Sequence, residues 1–543
     1  MKRKLIAMVT ACTLAIGMLA GCGGTGESTP TEGAVKTDSS VEASESSAEA
    51  QNEAEGTVYL PELTLGSSMA WETLTPFRTM RVWQIVYARL LYDSLAYIAK
   101  GGELVPVVAK SWEVEEDGLT WDIEIYDYVY DSEGNHITSD DIVWILEEQM
   151  KQALKPCYNQ VNSVEKTGDY TLKIVLKSDM VGLINNVLMQ TYVVSRTAYE
   201  ADPDGFASKV VSTAPYQLTE FVSGSSITLE KRDDYWQKEE LIPACMANNI
   251  QKLTVKYISE ASQQQIALET GEIQGYLSIT QNLIGSLDSS VFTVIANPAL
   301  TATTLRFSGH ETKAIASDEN LRKAIAYAID ENGIIAGVYN GYAETMTGPE
   351  AKGQLGYLDT WTKEENYQYD VEKAKEYLAK SNYGGETLEI LASSSAANER
   401  LCTMIQAYLL EVGIQTKLNL VERSLYTAMT YDGTAFDMEI MSPGGIDLPS
   451  AWQSSYDMTS YNGKDASGRS DEVLTDMIKK ASTNEGFTDE NINAVHEYVL
   501  EHVYDYGICQ PQQCDVIRTD IGLKEMVTMA AGGVDYAACV YSK

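Results

Sequence analysis

Histidine, cysteine and phenylalanine are scarce in this chain, with 4, 8 and 7 of 543 residues. Four histidines leave little material for a His-based nickel or haem site. Six cysteines, Cys157, Cys245, Cys402, Cys509, Cys514 and Cys539, are scattered after Cys12 and Cys22, which excludes a disulfide scaffold. Cys509 and Cys514 are near enough to pair across a turn containing Pro511; buried free thiols are the blander alternative. Positive charge is also short: 40 Lys and Arg face 78 Asp and Glu, a formal net charge of −38. Such a surface repels nucleic acid and anionic headgroups, so neither is expected as a partner. Many soluble extracellular proteins share this balance, so it identifies no cationic ligand. No Gly-x-Ser-x-Gly, phosphate loop or Cys-x-x-Cys occurs. His496 and His502 lie six apart on a helical stretch, about 240° around the axis, so they cannot share a zinc ion as the four-apart zincin pair does.

Only one long apolar run is present, and it lies at the start. Lys2, Arg3 and Lys4 precede an uncharged stretch from Leu5 to Ala20, too short to span a bilayer comfortably and flanked like a secretory signal. It ends at Leu19-Ala20-Gly21-Cys22, which resembles a bacterial lipobox. Residues 1–21 are therefore expected to be cleaved and Cys22 to carry a lipid, an attachment by buried methylenes and not a spanning helix. Residues 22–56 are Ser, Thr, Glu, Ala and Gly with hardly an apolar side chain. They are expected to form a disordered tether with an end-to-end distance of roughly 30–35 Å. The remainder of the chain is too long for one core and implies two or three domains.

Periodicity then alternates between strand and helix. Val58–Leu65 reads as an extended start, and Pro61 within it argues for an edge position. Arg78–Tyr92 has a helical stripe. Ser111–Val114 and Leu119–Tyr130 alternate in period two around Asp117-Gly118, a hairpin signal, with Trp121, Ile123 and Ile125 on one face. A helix comes next, capped by Ser139 or Asp140 and burying Ile142, Ile145 and Leu146; Tyr170–Leu176 is a further strand. In the second half, Asp318–Asp330 predicts an amphipathic helix closed by Asn332-Gly333. Asp370 caps another, and Leu401–Leu410, ended by Gly413, leads into a strand Ile414–Leu420. The alternation argues for an α/β architecture.

These segments, in this order, resemble the family-5 solute-binding proteins of ATP-binding-cassette importers, the oligopeptide and dipeptide binders. Leu74-Thr75-Pro76 stands where the family has Leu-Asp-Pro. Pro106-Val107-Val108-Ala109-Lys110-Ser111-Trp112, trailed by Asp117-Gly118, is similar to its Pro-x-Leu-Ala-x-Ser-Trp and Asp-Gly elements, and Thr138-Ser139-Asp140-Asp141-Ile142-Val143 to its next helix start. Ala214-Pro215-Tyr216, Arg232-Asp233-Asp234-Tyr235-Trp236 and Ala267-Leu268-Glu269-Thr270-Gly271-Glu272-Ile273 come after in register. The most specific run is Asn320 to Asp330, similar to the family's Val-Arg-x-Ala-Ile-x-Tyr-Ala-Ile-Asp helix; Tyr369-Asp370 with Ala374-Lys375 and Leu378 matches another. Departures are Ile125-Tyr126 for Leu-Arg and Gln274 for Asp. The family's Trp-x-x-Asp-x-x-x-Pro loop, whose Asp pairs with a peptide α-ammonium, has become Pro443-Gly444-Gly445-Ile446-Asp447-Leu448-Pro449.

The resemblance implies a periplasmic-binding-protein-like (type II) α/β fold, two-lobed, with an extra inserted domain and a ligand cleft between the lobes. Domain I would comprise residues 57–98, 211–297 and 511–543, domain II residues 99–210 and domain III residues 298–510. A monomer would close on an oligopeptide by a hinge, without cofactor, metal or covalent chemistry, and deliver it to membrane permease subunits and their ATPase. The alternatives are an oligosaccharide ligand or, in another class, a surface hydrolase. The setting would be the extracellular face of a bacterial membrane, Gram-positive in type, reached only through the lipid at Cys22. Asp447 is the expected partner of a ligand amine, a solvated loop aspartate being the alternative. By position, Ser67, Ser68, Met69, Ala70 and Trp71 would line the cleft rim with Gly444 and Gly445. Trp71 and Trp452 would stack on a side chain or sugar face, and Arg423 or Arg306 would meet a carboxylate.

Overall fold

Capping chemistry and alternating burial set most elements where the sequence puts them. The computed structural model describes residues 59–68, 73–77, 88–152, 155–362, 366–430, 433–458, 463–530 and 532–542. Cys22, the signal and tether segments, and Met69, Ala70 and Trp71 lie outside the described residues, as does most of the helix expected from Arg78; Ala88–Leu91 is helical.

A 12-stranded sheet runs through the molecule. Its organising strand is Asp505–Arg518, 14 residues long. The first part of that strand pairs antiparallel with Thr303–Phe307, beyond which lie Met438–Met441, Leu388–Ser393 and Thr416–Val421. Its later part pairs with Phe292–Pro298 and Gly275–Leu277, and beyond these lie Leu60–Ser67, Ile250–Tyr257, Ser226–Lys231 and Tyr216–Val222. A separate four-stranded antiparallel sheet is built from Ala109–Val114, Thr120–Ile125, Thr171–Leu176 and Val161–Gly168.

The Asp117-Gly118 hairpin forms as expected: Asp117 Oδ1 accepts from the Leu119 and Thr120 amides, and Gly118 adopts φ 71°. Ile123 and Ile125 are buried, and so are Leu172, Ile174 and Leu176 across the sheet. The helix Ser139–Gln152 buries Ile142, Ile145 and Leu146 against them. Neither expected cap forms as such: the Ser139 hydroxyl donates to Gly168 O, and just ahead of the helix the Thr138 amide donates to Asp141 Oδ2, the half of a capping box in which the side chain of the first turn reaches back. Asp318 and Asp370 cap Glu319–Ala328 and Val371–Lys380 by accepting from the Leu321 and Lys373 amides.

Three expectations are corrected. Asn332-Gly333 does not close a helix; Asp330 accepts from the Gly333 amide at 3.0 Å and starts a second helix, Glu331–Tyr339. Cys509 and Cys514 do not flank a turn. Both lie on the continuous strand Asp505–Arg518 and are free, separated by about 16 Å of extended chain. The first strand, Leu60–Ser67, lies inside the sheet and not at its edge. Only Leu65–Ser67 have a second parallel neighbour, so Pro61 occupies the stretch flanked by one strand, where its missing N–H is tolerated.

Hydrophobic side chains collect in several cores. One contains Leu63, Ile123, Leu183, Ile184 and Tyr541; a second Leu305, Ile325, Ile390 and Ile508; a third Leu448, Trp452, Ile478 and Val495. No helix among the described residues is long and apolar enough to cross a membrane.

Burial in this framework raises several carboxyl groups. It pushes Asp93 up to about 7 despite hydrogen bonds from Trp236 and Tyr235, Asp515 up to about 6, and Glu439 up to about 8 although Arg306 pulls the other way. A group whose folded pKa is raised contributes stability that is fully present below its unfolded pKa and lost as pH rises through the folded value. The melting temperature should therefore fall as pH is raised from 5 to 8. Glu439→Gln should flatten the upper part of that fall, stabilising the protein by about 1–2 kcal/mol at pH 8 and by little at pH 5; thermal denaturation of both proteins across this range checks it.

Candidate functional site

The first and third cores approach each other where two short segments run side by side. Ahead of the helix Leu183–Gln190, the Val181 amide donates to the Ser482 carbonyl at 2.8 Å, and the Asn484 amide to the Asp179 carbonyl at 3.3 Å. Met180 and Thr483 form the intervening antiparallel bridge. These are main-chain bonds between residues some 300 positions apart.

Beside this junction lies the loop 443–447. Its backbone is held by neighbours on both sides: the Ala302 amide donates to Pro443 O, the Gly445 amide to Leu300 O, and the Leu355 amide to Ile446 O. Gln354 Nε2 donates to Gly445 O at 3.1 Å. Gly444 is required by contact, because a Cβ there would sit 2.5 Å from Thr301 Cγ2 and 2.9 Å from Leu300 O.

Asp447 ends the loop and starts the helix Leu448–Tyr456. Its Oδ1 accepts from the Ser450 amide at 2.8 Å, and Pro449 occupies the first turn, where no intrahelical N–H is needed. The carboxylate is not a solvated loop group; the residue is only 2% exposed. Its Oδ2 faces the other core, accepting from Asn186 Nδ2 at 3.4 Å. Gly182, at φ 78°, comes so close that a Cβ on it would lie 2.8 Å from that same oxygen. Burial raises the Asp447 pKa, and the hydrogen bonds from Ser450 and Asn186 oppose the rise.

Between these groups is a recess of about 10 Å³, about the space of one water. Asn185, Asn186 and Asp447 give it polar groups, and Ile98, Met189 and Ile446 an apolar wall; no lining residue is basic. Asn185, Asn186 and Gly182 were not anticipated from the sequence. A local signal existed, since Asn185-Asn186 interrupts the apolar stripe of Leu183, Ile184, Val187 and Leu188. Nothing in that stripe says that Asp447 lies opposite.

The remaining predicted residues fall in several places. Ser67 and Ser68 stand at the carboxyl end of a parallel strand, where open α/β sheets bind ligands; Ser67 O accepts from the Ile258 amide, and the Ser68 side chain meets the Tyr276 hydroxyl. Trp452 offers no stacking face, because it is 2% exposed in the third core and donates from Nε1 to Glu350 Oε1 at 3.1 Å. Arg423 is exposed at the start of the helix Arg423–Met429. Arg306 is buried between Asp505 at 3.3 Å and Glu439 at 3.7 Å, and Asp505 meets its charge within the protein, so it does not await a ligand carboxylate.

His496 and His502 lie on one helix, Asp489–His502, and turn to different carboxylates. His496 Nδ1 is 2.9 Å from Glu350 Oε2, and His502 Nδ1 is 3.2 Å from Glu319 Oε2. Burial alone would push Glu350 up, but His496 and Trp452 bring it below its ordinary value. Trp361 stacks on the His496 ring, centroids 3.9 Å apart.

Comparison with known proteins fits this architecture. Residues 103–466 match the family model "Bacterial extracellular solute-binding proteins, family 5 Middle". The oligopeptide-binding protein AppA of Bacillus subtilis strain 168 is 23% identical over 363 residues, 62% of this chain and 64% of that protein. The structure of AppA from Bacillus subtilis in complex with a nonapeptide superimposes with a TM-score of 0.71 at 18% identity, covering 90% of this chain and all of that one. NikA from Brucella suis in complex with Fe(III)-EDTA gives 0.77 at 20% identity, over 89% and 100%. The fold is thus that of a two-lobed type II binding protein, and the chain belongs to the bacterial extracellular solute-binding proteins of family 5.

Proposed function

We propose that this solute-binding protein of an ABC importer captures oligopeptides by closure of its lobes and passes them to a membrane permease and its ATPase, held at the extracellular face by a lipid on Cys22. Residues 57–98, 211–297 and 511–543 are assigned to domain I, 99–210 to domain II and 298–510 to domain III. The observation that carries the reading is the convergence at Asp447. Main-chain and amide groups of 179–186 and of 443–448 face one another there without a basic side chain in the recess. The strand end at Ser67 and Ser68 and the loop 443–447 would border the cleft, in which an extended ligand would be held by backbone hydrogen bonds with permissive side-chain space. The nonapeptide in the AppA complex supports the same ligand class.

Binding stabilises the folded chain by mass action, about 2.7 kcal/mol at a ligand concentration 100 times Kd. A thermal-shift comparison should show mixed tetra- to nonapeptides raising the melting temperature by several degrees and an oligosaccharide pool leaving it unchanged. Stabilisation by the sugars alone would reassign the ligand, and turnover of either pool would indicate a hydrolase. The anchor is tested separately: Cys22→Ser should abolish incorporation of a labelled fatty acid and release the protein into the medium. Continued labelling would remove Cys22 from the reading.

A further inference from the structure

The resemblance assigns the loop aspartate to a peptide's α-ammonium, yet both Asp447 oxygens already have protein partners. Oδ1 is spent on the helix cap through Ser450. Oδ2 meets Asn186 Nδ2 and lies against Gly182, whose lack of a side chain and positive φ permit the approach. Asn186 is itself fixed, donating also to Gly182 O at 3.0 Å and accepting at Oδ1 from Gln190. One turn away, Val181–Ser482 and Asn484–Asp179 tie the same two lobes through backbone. None of these contacts requires a ligand atom as intermediary.

We propose that Asp447, Asn186 and Gly182, together with the paired segments 179–181 and 482–484, form a clasp that locks the lobes shut, and that the site therefore does not read the ligand's free α-amine. Closure brings the carboxylate to an amide donor and the start of a helix on the opposite lobe, a location that favours negative charge. A ligand ammonium would have to displace Asn186 to reach it. The clasp contributes equally to every ligand that fits between the lobes, and it makes N-blocked peptides as acceptable as free ones. The statement about amines rests on the peptide reading, and the clasp only on the division into domains proposed above.

A charge-swap series tests it. Asn186→Asp places a second carboxylate beside Asp447 across the lobe boundary. It should weaken binding of free and N-acetylated peptide pools alike, by tenfold or more, while Asp447→Asn added to it should restore both, since a carboxamide at 447 can cap Ser450 and donate back. Hydrogen exchange supplies a readout independent of any ligand. The Val181 and Asn484 amides should be protected in the wild type, exchange at least tenfold faster in Asn186→Asp, and regain protection in the double variant. If Asp447→Asn alone abolishes binding of free peptides and spares acetylated ones, Asp447 reads the amine and the proposal is overturned. Unprotected Val181 and Asn484 amides in the wild type would overturn it as well. Failure of both peptide forms to bind would refute the peptide reading and leave the clasp to be decided by the exchange data.

Discussion

A single strand, Asp505–Arg518, belongs to both halves of the large sheet, and two buried aspartates fix its ends. Asp505 accepts from Arg306 and from the Tyr456 hydroxyl; Asp515 accepts from the Ser278 and Val534 amides. Each carboxylate is therefore satisfied within the protein, which burial demands. Removing either partner set would leave a desolvated charge behind, far costlier than the loss of one surface ion pair.

The same network reaches the cleft. Tyr456, bonded to Asp505, ends the helix whose cap is Asp447. Midway along that helix Trp452 is bonded to Glu350, which is bonded in turn to His496. The helix is thus held at its end by the organising strand, along its length by a buried Glu-His pair, and at its start by its own cap. A rigid mount of this kind lets the Asp447 carboxylate meet Asn186 and Gly182 in one geometry. Trp452 serves as a buried prop for this helix, the reverse of the stacking role its chemistry suggests.

Much of the fold was legible because it rests on local rules. The Asp117-Gly118 turn, the Asp370 cap and the period-two burial of Leu172, Ile174 and Leu176 all depend on neighbours a few residues away. Asp-Leu-Pro at 447–449 also carried a local message, a cap and then a first-turn proline, which places Asp447 at a helix start and not in an open loop. What could not be read were encounters of distant groups. By sequence Arg306 could meet a ligand carboxylate, but Asp505 and Glu439 close on it, and no local pattern around Asn186 tells that Asp447 lies opposite. Asn332-Gly333 misled for a subtler reason: a pair that ends helices elsewhere fell within reach of the Asp330 carboxylate, which begins one.

Pro511 occupies the middle of the shared strand, facing Ala343, and its carbonyl accepts from the Ala299 amide. A proline has no N–H to surrender. Rotation of one half-sheet against the other about this point would thus leave no donor of that residue stranded, whereas five positions away in either direction it would tear an intact ladder. The chain has put a residue without a main-chain donor where the two halves of the sheet meet on one strand.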